Sequence, residues 1–173
     1  MRLRYPAGPI ALAVFLGVGA CGSGEAPVAD RLTACEVVTA REVATAIGRP
    51  VTTPPAASDA ATDRLAGRSG CAWSSEDGDV AVLVELVRTA DMARSVRRTG
   101  FSAAARFQAA TAEHPEATAA EGVLFVEEES KLLLLTDDSL VVLEVAVTPT
   151  SEARAIADAL GARARSRLER ADS

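Results

Sequence analysis

The spacing of apolar positions predicts five strands in two parts of the chain. Between residues 79 and 88, apolar side chains occupy both sets of alternating positions, so we expect a central strand that is covered on both faces. A shorter strand over 71–74, followed by a turn at 76–78, completes a hairpin with it. Two tight connections join the remaining strands into an antiparallel meander, which we place over 122–128, 131–136 and 139–147.

One helix has both of its ends marked in the sequence. Thr39 and Glu42 form a T-x-x-E capping box, in which the hydroxyl accepts a hydrogen bond from the third helical amide and the carboxylate accepts one from the cap amide. Gly48 supplies a left-handed stop, and Pro50 cannot continue the helix. We therefore predict a short helix over 40–47.

Two longer helical segments complete the predicted fold. A helical zone is expected from 90 to 111 with an interruption at Gly100, and the polar residues 112–121 are interpreted as a linker. Apolar residues four positions apart predict an amphipathic helix from 151 to about 170. This order of elements predicts a single α+β domain, in which a mostly antiparallel sheet of about five strands packs against helices. A second topology places helices on both faces of the sheet.

The start of the chain has the pattern of a signal peptide. Arg2 and Arg4 precede an apolar run over 10–18, which is too short to span about 30 Å of hydrocarbon. The run is followed by Val-Gly-Ala and then Cys21, a sequence that resembles the lipobox of bacterial lipoproteins. The resemblance implies removal of the signal peptide 1–20 and attachment of diacylglycerol and palmitate at Cys21. The alternative is an ordinary signal peptide, with Cys21 as a spare thiol.

The residues after the lipobox predict a tether and a domain. Residues 21–30 are rich in Gly, Ala, Ser and Pro, which is the composition of a flexible linker. Residues 31–173 then form one envelope domain. Because two or three acyl chains hold a protein stably on a bilayer, we expect the membrane to be a partner through the lipid anchor. The domain would then face outward from the cell membrane, on its periplasmic or extracytoplasmic side.

Charge and aromatic content exclude some partners. The chain carries 18 basic and 24 acidic residues, for a formal net charge of −6, so it has no basic excess with which to neutralise phosphates. Aromatic residues make up only 3% of the chain, which disfavours a stacking platform for single strands. We therefore expect no nucleic-acid partner.

The cysteine count agrees with an oxidising compartment. If Cys21 is acylated, Cys35 and Cys71 remain and suit one disulfide. Two buried free thiols are the alternative. A metal pair is disfavoured, because His114 is the only histidine and no C-x-x-C motif occurs. We expect no metal and no cofactor.

Residues 34–51 resemble the opening of a group of short lipoproteins from high-GC bacteria, chiefly actinobacteria. Members share a lipobox, a Cys-x-Leu-Leu-Thr-x-x-Glu-Val helix start and a later Cys-x-aromatic strand. Here Cys35 begins the first motif, and Cys71-Ala-Trp73 corresponds to the second, whereas Val37-Val38 replaces the family's Leu-Leu. The resemblance implies an envelope domain of uncharacterised function and supplies no catalytic residue.

Few side chains are candidates for chemistry. His114 lies in a predicted loop, where a lone histidine is more often solvated than catalytic. Glu85 and Glu144 each interrupt an apolar strand, so they either face one groove as the carboxylate pair of a hydrolase or mark the wetter side of each strand. Three arginines on one face of the last helix either contact anionic headgroups or complement the helix dipole: Arg163, Arg167 and Arg170.

These patterns together predict a lipid-anchored cell-envelope lipoprotein whose domain binds or assists another molecule without catalysis. Its expected partner is a protein or a small apolar ligand held between sheet and helices. The alternative is an envelope hydrolase that uses Glu85 and Glu144. A third hypothesis is an accessory protein without a pocket, which acts through protein contacts alone.

Overall fold

The computed structural model describes residues 32–52, 67–147 and 149–171. The predicted signal peptide over 1–20 and the tether over 21–30, including Cys21, lie outside the described residues. The helices are α1 (Ala34–Val37), α2 (Ala40–Ile47), α3 (Arg94–Arg97), α4 (Ala103–Glu113) and α5 (Thr150–Ala171). The strands are β1 (Val51–Thr52), β2 (Arg68–Ser75), β3 (Ala81–Arg88), β4 (Thr118–Ala120), β5 (Val123–Val126), β6 (Lys131–Thr136) and β7 (Ser139–Ala146).

The seven strands form one antiparallel sheet in the order β1-β2-β3-β7-β6-β5-β4. Its centre is the pairing of β3 with β7, which runs from Ala81 opposite Ala146 to Arg88 opposite Ser139. The predicted hairpin and meander are confirmed as β2–β3 and β5–β6–β7. Two short edge strands, β1 and β4, raise the count above five. The prediction of a linker over 112–121 is wrong at β4, because the backbone of β5 pairs with residues 118–120.

Helices cover both faces of the sheet. The predicted α+β class is therefore confirmed, and the topology is the second one considered, with helices on both faces. On the first face, α1, α2 and α5 pack over a core that includes Trp73, Val84 and Leu143. On the second face, α4 packs over β6 and β7, with Leu133 and Val142 beneath it. The reason lies in β7, whose side chains are apolar in both alternating sets and are buried along most of the strand.

The second face is only half covered. On this face of β3, Val87 is buried, whereas Ala81 and Leu83 are exposed, the latter to 46%. The prediction that this strand is covered on both faces is therefore wrong for its first half. The reason is that α4 makes its contacts with β6 and β7 and leaves the β2–β3 side open.

The predicted capping box forms at the start of α2. The amide of Thr39 donates to Glu42 Oε2 at 2.9 Å, and the amide of Glu42 donates to Thr39 Oγ1 at 3.4 Å. Gly48, with a φ of 70°, ends the helix as predicted. The same spacing recurs upstream, where the Thr33 amide donates to Glu36 Oε2 at 2.7 Å and begins α1, a helix absent from the prediction.

The predicted disulfide is present and joins α1 to the sheet. Cys35 lies in α1 and Cys71 in β2, with their Cα atoms 5.2 Å apart. Cys71 is 7% exposed, whereas Cys35 lies at the surface. The bond therefore connects the first described helix directly to the covered face of the sheet.

The long helix α5 carries the predicted apolar stripe. Its four expected positions are all buried on the first face: Ile156, Leu160, Ala164 and Leu168. Gly161 allows a close approach to the sheet, since a Cβ there would lie 2.6 Å from Leu132 Cδ2. Neither α5 nor any other helix within the described residues combines the length and apolarity needed to cross a membrane.

Candidate functional site

A groove of about 320 Å³ lies between α4 and the second face of the sheet. Its apolar floor comes from β5, β6 and β7, and its walls carry charges of both signs. The charged and titratable side chains around it are Glu85, Arg106, Glu113, His114, Glu129, Lys131 and Glu144. We call this the charged groove.

Polar contacts at the first turn of α4 set the position of this helix. Gly100, with a φ of 80°, ends the preceding turn, and Ser102 Oγ accepts a hydrogen bond from the Ala105 amide at 3.1 Å. The Ala103 amide donates to Thr89 Oγ1 at 3.0 Å, which ties the start of α4 to the residue after β3. The interruption predicted at Gly100 is therefore what allows α4 to begin over the sheet.

Two arginines hold Glu85 in its ionised form. The carboxylate lies on β3, and its Oε1 accepts from Arg68 Nε at 2.7 Å and from Arg106 Nη1 at 2.6 Å. Its side chain is only 23% exposed, and burial alone would raise its pKa. The hydrogen bonds and positive charges of Arg106 and Arg68 outweigh burial and lower the pKa of Glu85 below its ordinary value.

A lysine occupies the opposite wall between two carboxylates. Lys131 Nζ contacts Glu129 Oε2 and lies 3.2 Å from Glu144 Oε1. Burial would lower the pKa of Lys131, but the hydrogen bonds to Glu129 and Glu144 raise it above its ordinary value. The Lys131 hydrogen bond in turn lowers the pKa of Glu129. This wall therefore holds the lysine in contact with two acidic side chains.

His114 lies at the edge of the groove rather than in open solvent. Its side chain is 23% exposed, and Nε2 lies 3.6 Å from Glu129 Oε1 while Nδ1 lies 3.6 Å from Glu116 Oε1. It follows the last residue of α4, so the end of this helix places it beside the groove. Two carboxylates therefore flank the imidazole.

The two carboxylates singled out in the sequence do share this groove. Glu85 pairs with Val142 and Glu144 pairs with Leu83, so they are diagonal neighbours on the second face. A glycosidase-type acid requires a carboxyl with a raised pKa, and the pKa of Glu85 is lowered instead. The arrangement suits the holding of charge in fixed positions better than proton donation.

A second groove of about 310 Å³ runs along α5 on the first face. Its floor is formed by Val123, Leu132 and Leu134, and Asp158 and Arg165 of α5 lie along its side. Leu132 and Leu134 are buried, and Val123 is partly exposed.

The three arginines predicted on one face of the last helix differ in their contacts. Arg167 binds Glu42 through both terminal nitrogens, so its guanidinium is used inside the fold. Arg163 and Arg170 are exposed, and Arg170 contacts Ser166 of its own helix. Headgroup contact therefore remains a prediction only for the exposed pair.

Several residues of the charged groove carry no recognisable signal in the sequence. Glu129 and Lys131 lie in and after a turn, where charges are ordinary. Arg106 and Glu113 are seven positions apart on a helix, which places them on the same side, and this spacing is the one signal that points to α4. Within the described residues, no three His, Cys, Asp or Glu side chains come together as a metal site.

Comparison of the chain with family models, with curated proteins and with solved structures finds no match. The resemblance to short actinobacterial lipoproteins therefore stays a prediction. The functional argument depends on the charged groove itself.

Proposed function

We propose that this protein is a lipid-anchored envelope protein whose domain binds another molecule in the charged groove without transforming it. The lipobox at Cys21 supports the anchor, and the disulfide between Cys35 and Cys71 agrees with an oxidising compartment. The bound molecule is a protein segment or a small molecule that rests on the apolar floor.

The observation that carries the binding role is the mutual neutralisation of the charged groups. Glu85 lies between two guanidinium groups, and Lys131 lies between two carboxylates. Groups fixed in this way present preorganised donors and acceptors around an apolar floor, which is the usual composition of a binding pocket. A catalytic acid or base instead needs a pKa near the working pH, and the shifts at Glu85 and Lys131 run away from neutrality.

Filling the charged groove is expected to abolish binding. Ala109 is an exposed residue of α4 that lines the groove, so Ala109→Trp would place an indole in the space without disturbing the core. Native mass spectrometry of the detergent-extracted protein should show a bound mass in the wild type that is absent from this variant. Gln108→Trp is the matched control, because residue 108 is exposed on the same helix and does not line the groove. Equal bound masses in all three proteins would contradict binding in this groove.

Removing the lipidated cysteine is expected to release the protein from the membrane. The wild type should partition into the detergent phase, and its intact mass should correspond to a chain that begins at an acylated Cys21. Cys21→Ser should move to the aqueous phase. Cys35→Ser serves as the control, since it also replaces a cysteine with serine but leaves Cys21 in place, and it should stay in the detergent phase. An unprocessed wild type that begins at Met1 would contradict the proposed anchor.

A further inference from the structure

Helix α4 presents two opposite charges to the charged groove. Arg106 and Glu113 both line it, and seven helical positions separate them by about 10 Å along the helix axis. Between them, Ala109 and Ala110 line the wall with nothing larger than a methyl group. The wall is therefore a short apolar trough with a cation at one end and an anion at the other.

Both end groups retain binding capacity. A guanidinium has five N–H donors, and among the described residues Arg106 makes one hydrogen bond, from Nη1 to Glu85. Its side chain is 28% exposed. The carboxylate of Glu113 is exposed and makes no hydrogen bond or ion pair within the described part of the chain. A ligand can thus reach both groups without breaking the ion pairs of the opposite wall.

The composition of the groove selects against a purely anionic ligand. Four carboxylates and two cations line it: Glu85, Glu113, Glu129, Glu144, Arg106 and Lys131. The floor is apolar and includes Leu133 and Val142. A ligand that matches both charged ends and the floor is a zwitterion with an apolar middle.

The separation of Arg106 and Glu113 along the helix axis sets the length of that zwitterion. An extended peptide advances about 3.3 to 3.6 Å per residue, so about three residues match the roughly 10 Å of helix axis from Arg106 to Glu113. A single amino acid is too short to reach both groups. A segment inside a longer chain lacks the terminal charges.

We infer that the charged groove binds a peptide of about three small or apolar residues, with its N-terminal ammonium at Glu113 and its C-terminal carboxylate at Arg106. This inference rests on the proposed binding function and specifies its ligand class. The terminal carboxylate accepts hydrogen bonds from the free donors of Arg106, and the peptide's middle lies over Ala109 and Val142.

Tri-alanine with blocked and free ends tests both contacts separately. Calorimetric titration of the full mature protein in detergent compares the free peptide with its N-acetyl and C-amide forms. Each block should weaken binding about fivefold, because one partly exposed ion pair is lost. Glu113→Gln should weaken the free peptide about fivefold and make it bind as the N-acetyl form does. Arg106→Gln should in the same way abolish the difference between the free and C-amide forms.

Controls and contrary results separate this inference from the proposed function. Glu128→Gln removes an exposed carboxylate outside the groove and should leave all the affinities unchanged. If N-acetylation still costs fivefold in Glu113→Gln, or if Ala109→Trp binds tri-alanine normally, the inference is wrong. If no form of tri-alanine binds while the wild type keeps a bound mass that Ala109→Trp lacks, the ligand class is wrong and the binding function stands. If no form of tri-alanine binds and the wild type also shows no bound mass, both proposals are wrong.

Discussion

Replacing Cys35 and Cys71 with serine is expected to lower the free energy of unfolding by about 4 kcal/mol. The two residues are 36 positions apart, and opening a loop of that length gives the unfolded chain about this much conformational entropy at 25 °C. The bond also holds α1, a helix of only four residues that is too short to be stable by itself. The loss is a large part of the 5–15 kcal/mol that is typical of a domain.

Guanidinium denaturation of the oxidised wild type and of the double serine variant measures this difference. The wild type treated with a reducing agent should match the variant, because both lack the same covalent link. Tryptophan fluorescence suits the experiment, since Trp73 is the single tryptophan and lies buried in β2 beside Cys71. A difference below about 1 kcal/mol would show that the unfolded chain is not constrained by this loop.

Replacing Arg167 with alanine is expected to destabilise the fold by about 3 kcal/mol. Its Nη1 donates to the carbonyl oxygens of Glu36 and Val37 at 2.8 Å and to Glu42 Oε2 at 2.9 Å, and its Nη2 donates to Glu42 Oε1 at 2.8 Å. Removing the guanidinium leaves a carboxylate that is only 15% exposed without its cation. Two carbonyl groups lose a donor at the same time.

The same ion pair gives the protein a specific acid sensitivity. Burial alone would raise the pKa of Glu42, but hydrogen bonds from Arg167 and Thr39 lower it from 4.5 to about 2. The Glu42 carboxylate takes up a proton more readily in the unfolded chain than in the folded protein. The stabilisation that ionised Glu42 gives the fold is therefore complete above pH 4.5 and is lost as the pH falls to about 2. The difference in unfolding free energy between the wild type and Arg167→Ala should therefore become small as the pH falls through that range.

Denaturation at pH 7 and at pH 3 checks the magnitude and the sign together. Arg163→Ala is the matched control, because it removes a guanidinium that is exposed on the same helix. Its unfolding free energy should follow the wild type at both pH values. A deficit in Arg167→Ala that is equal at pH 7 and at pH 3 would show that Glu42 does not carry the effect.

The parts of the fold that were predicted correctly depend on local signals. Thr39 and Glu42 define the start of α2 through contacts within one helical turn, and Gly48 defines its end through its own backbone angle. The stripe on α5 is equally local, since four-residue spacing determines which side of the helix is apolar. Such features require no knowledge of what packs against them.

The charged groove depends on pairings between distant residues. Glu85 and Glu144 become neighbours because β3 pairs with β7, and the sequence gives no rule for that choice of partner. Glu85 meets Arg106 only after α4 folds back across the second face. The residue types were visible in the sequence, but the register and the helix placement that bring them together were not.

The disulfide also determines how the domain would carry mechanical load. In a chain held at Cys21, as proposed, any pull on the tether enters the fold just before Cys35. The covalent bond passes that force to Cys71 in β2, the strand that pairs with β3 over seven residue pairs. The pull is therefore shared by a ladder of backbone hydrogen bonds, and α1 is not peeled away from the sheet. The charged groove lies on the opposite face of that sheet from α1, and its lining includes Glu85 of β3, which belongs to the loaded ladder.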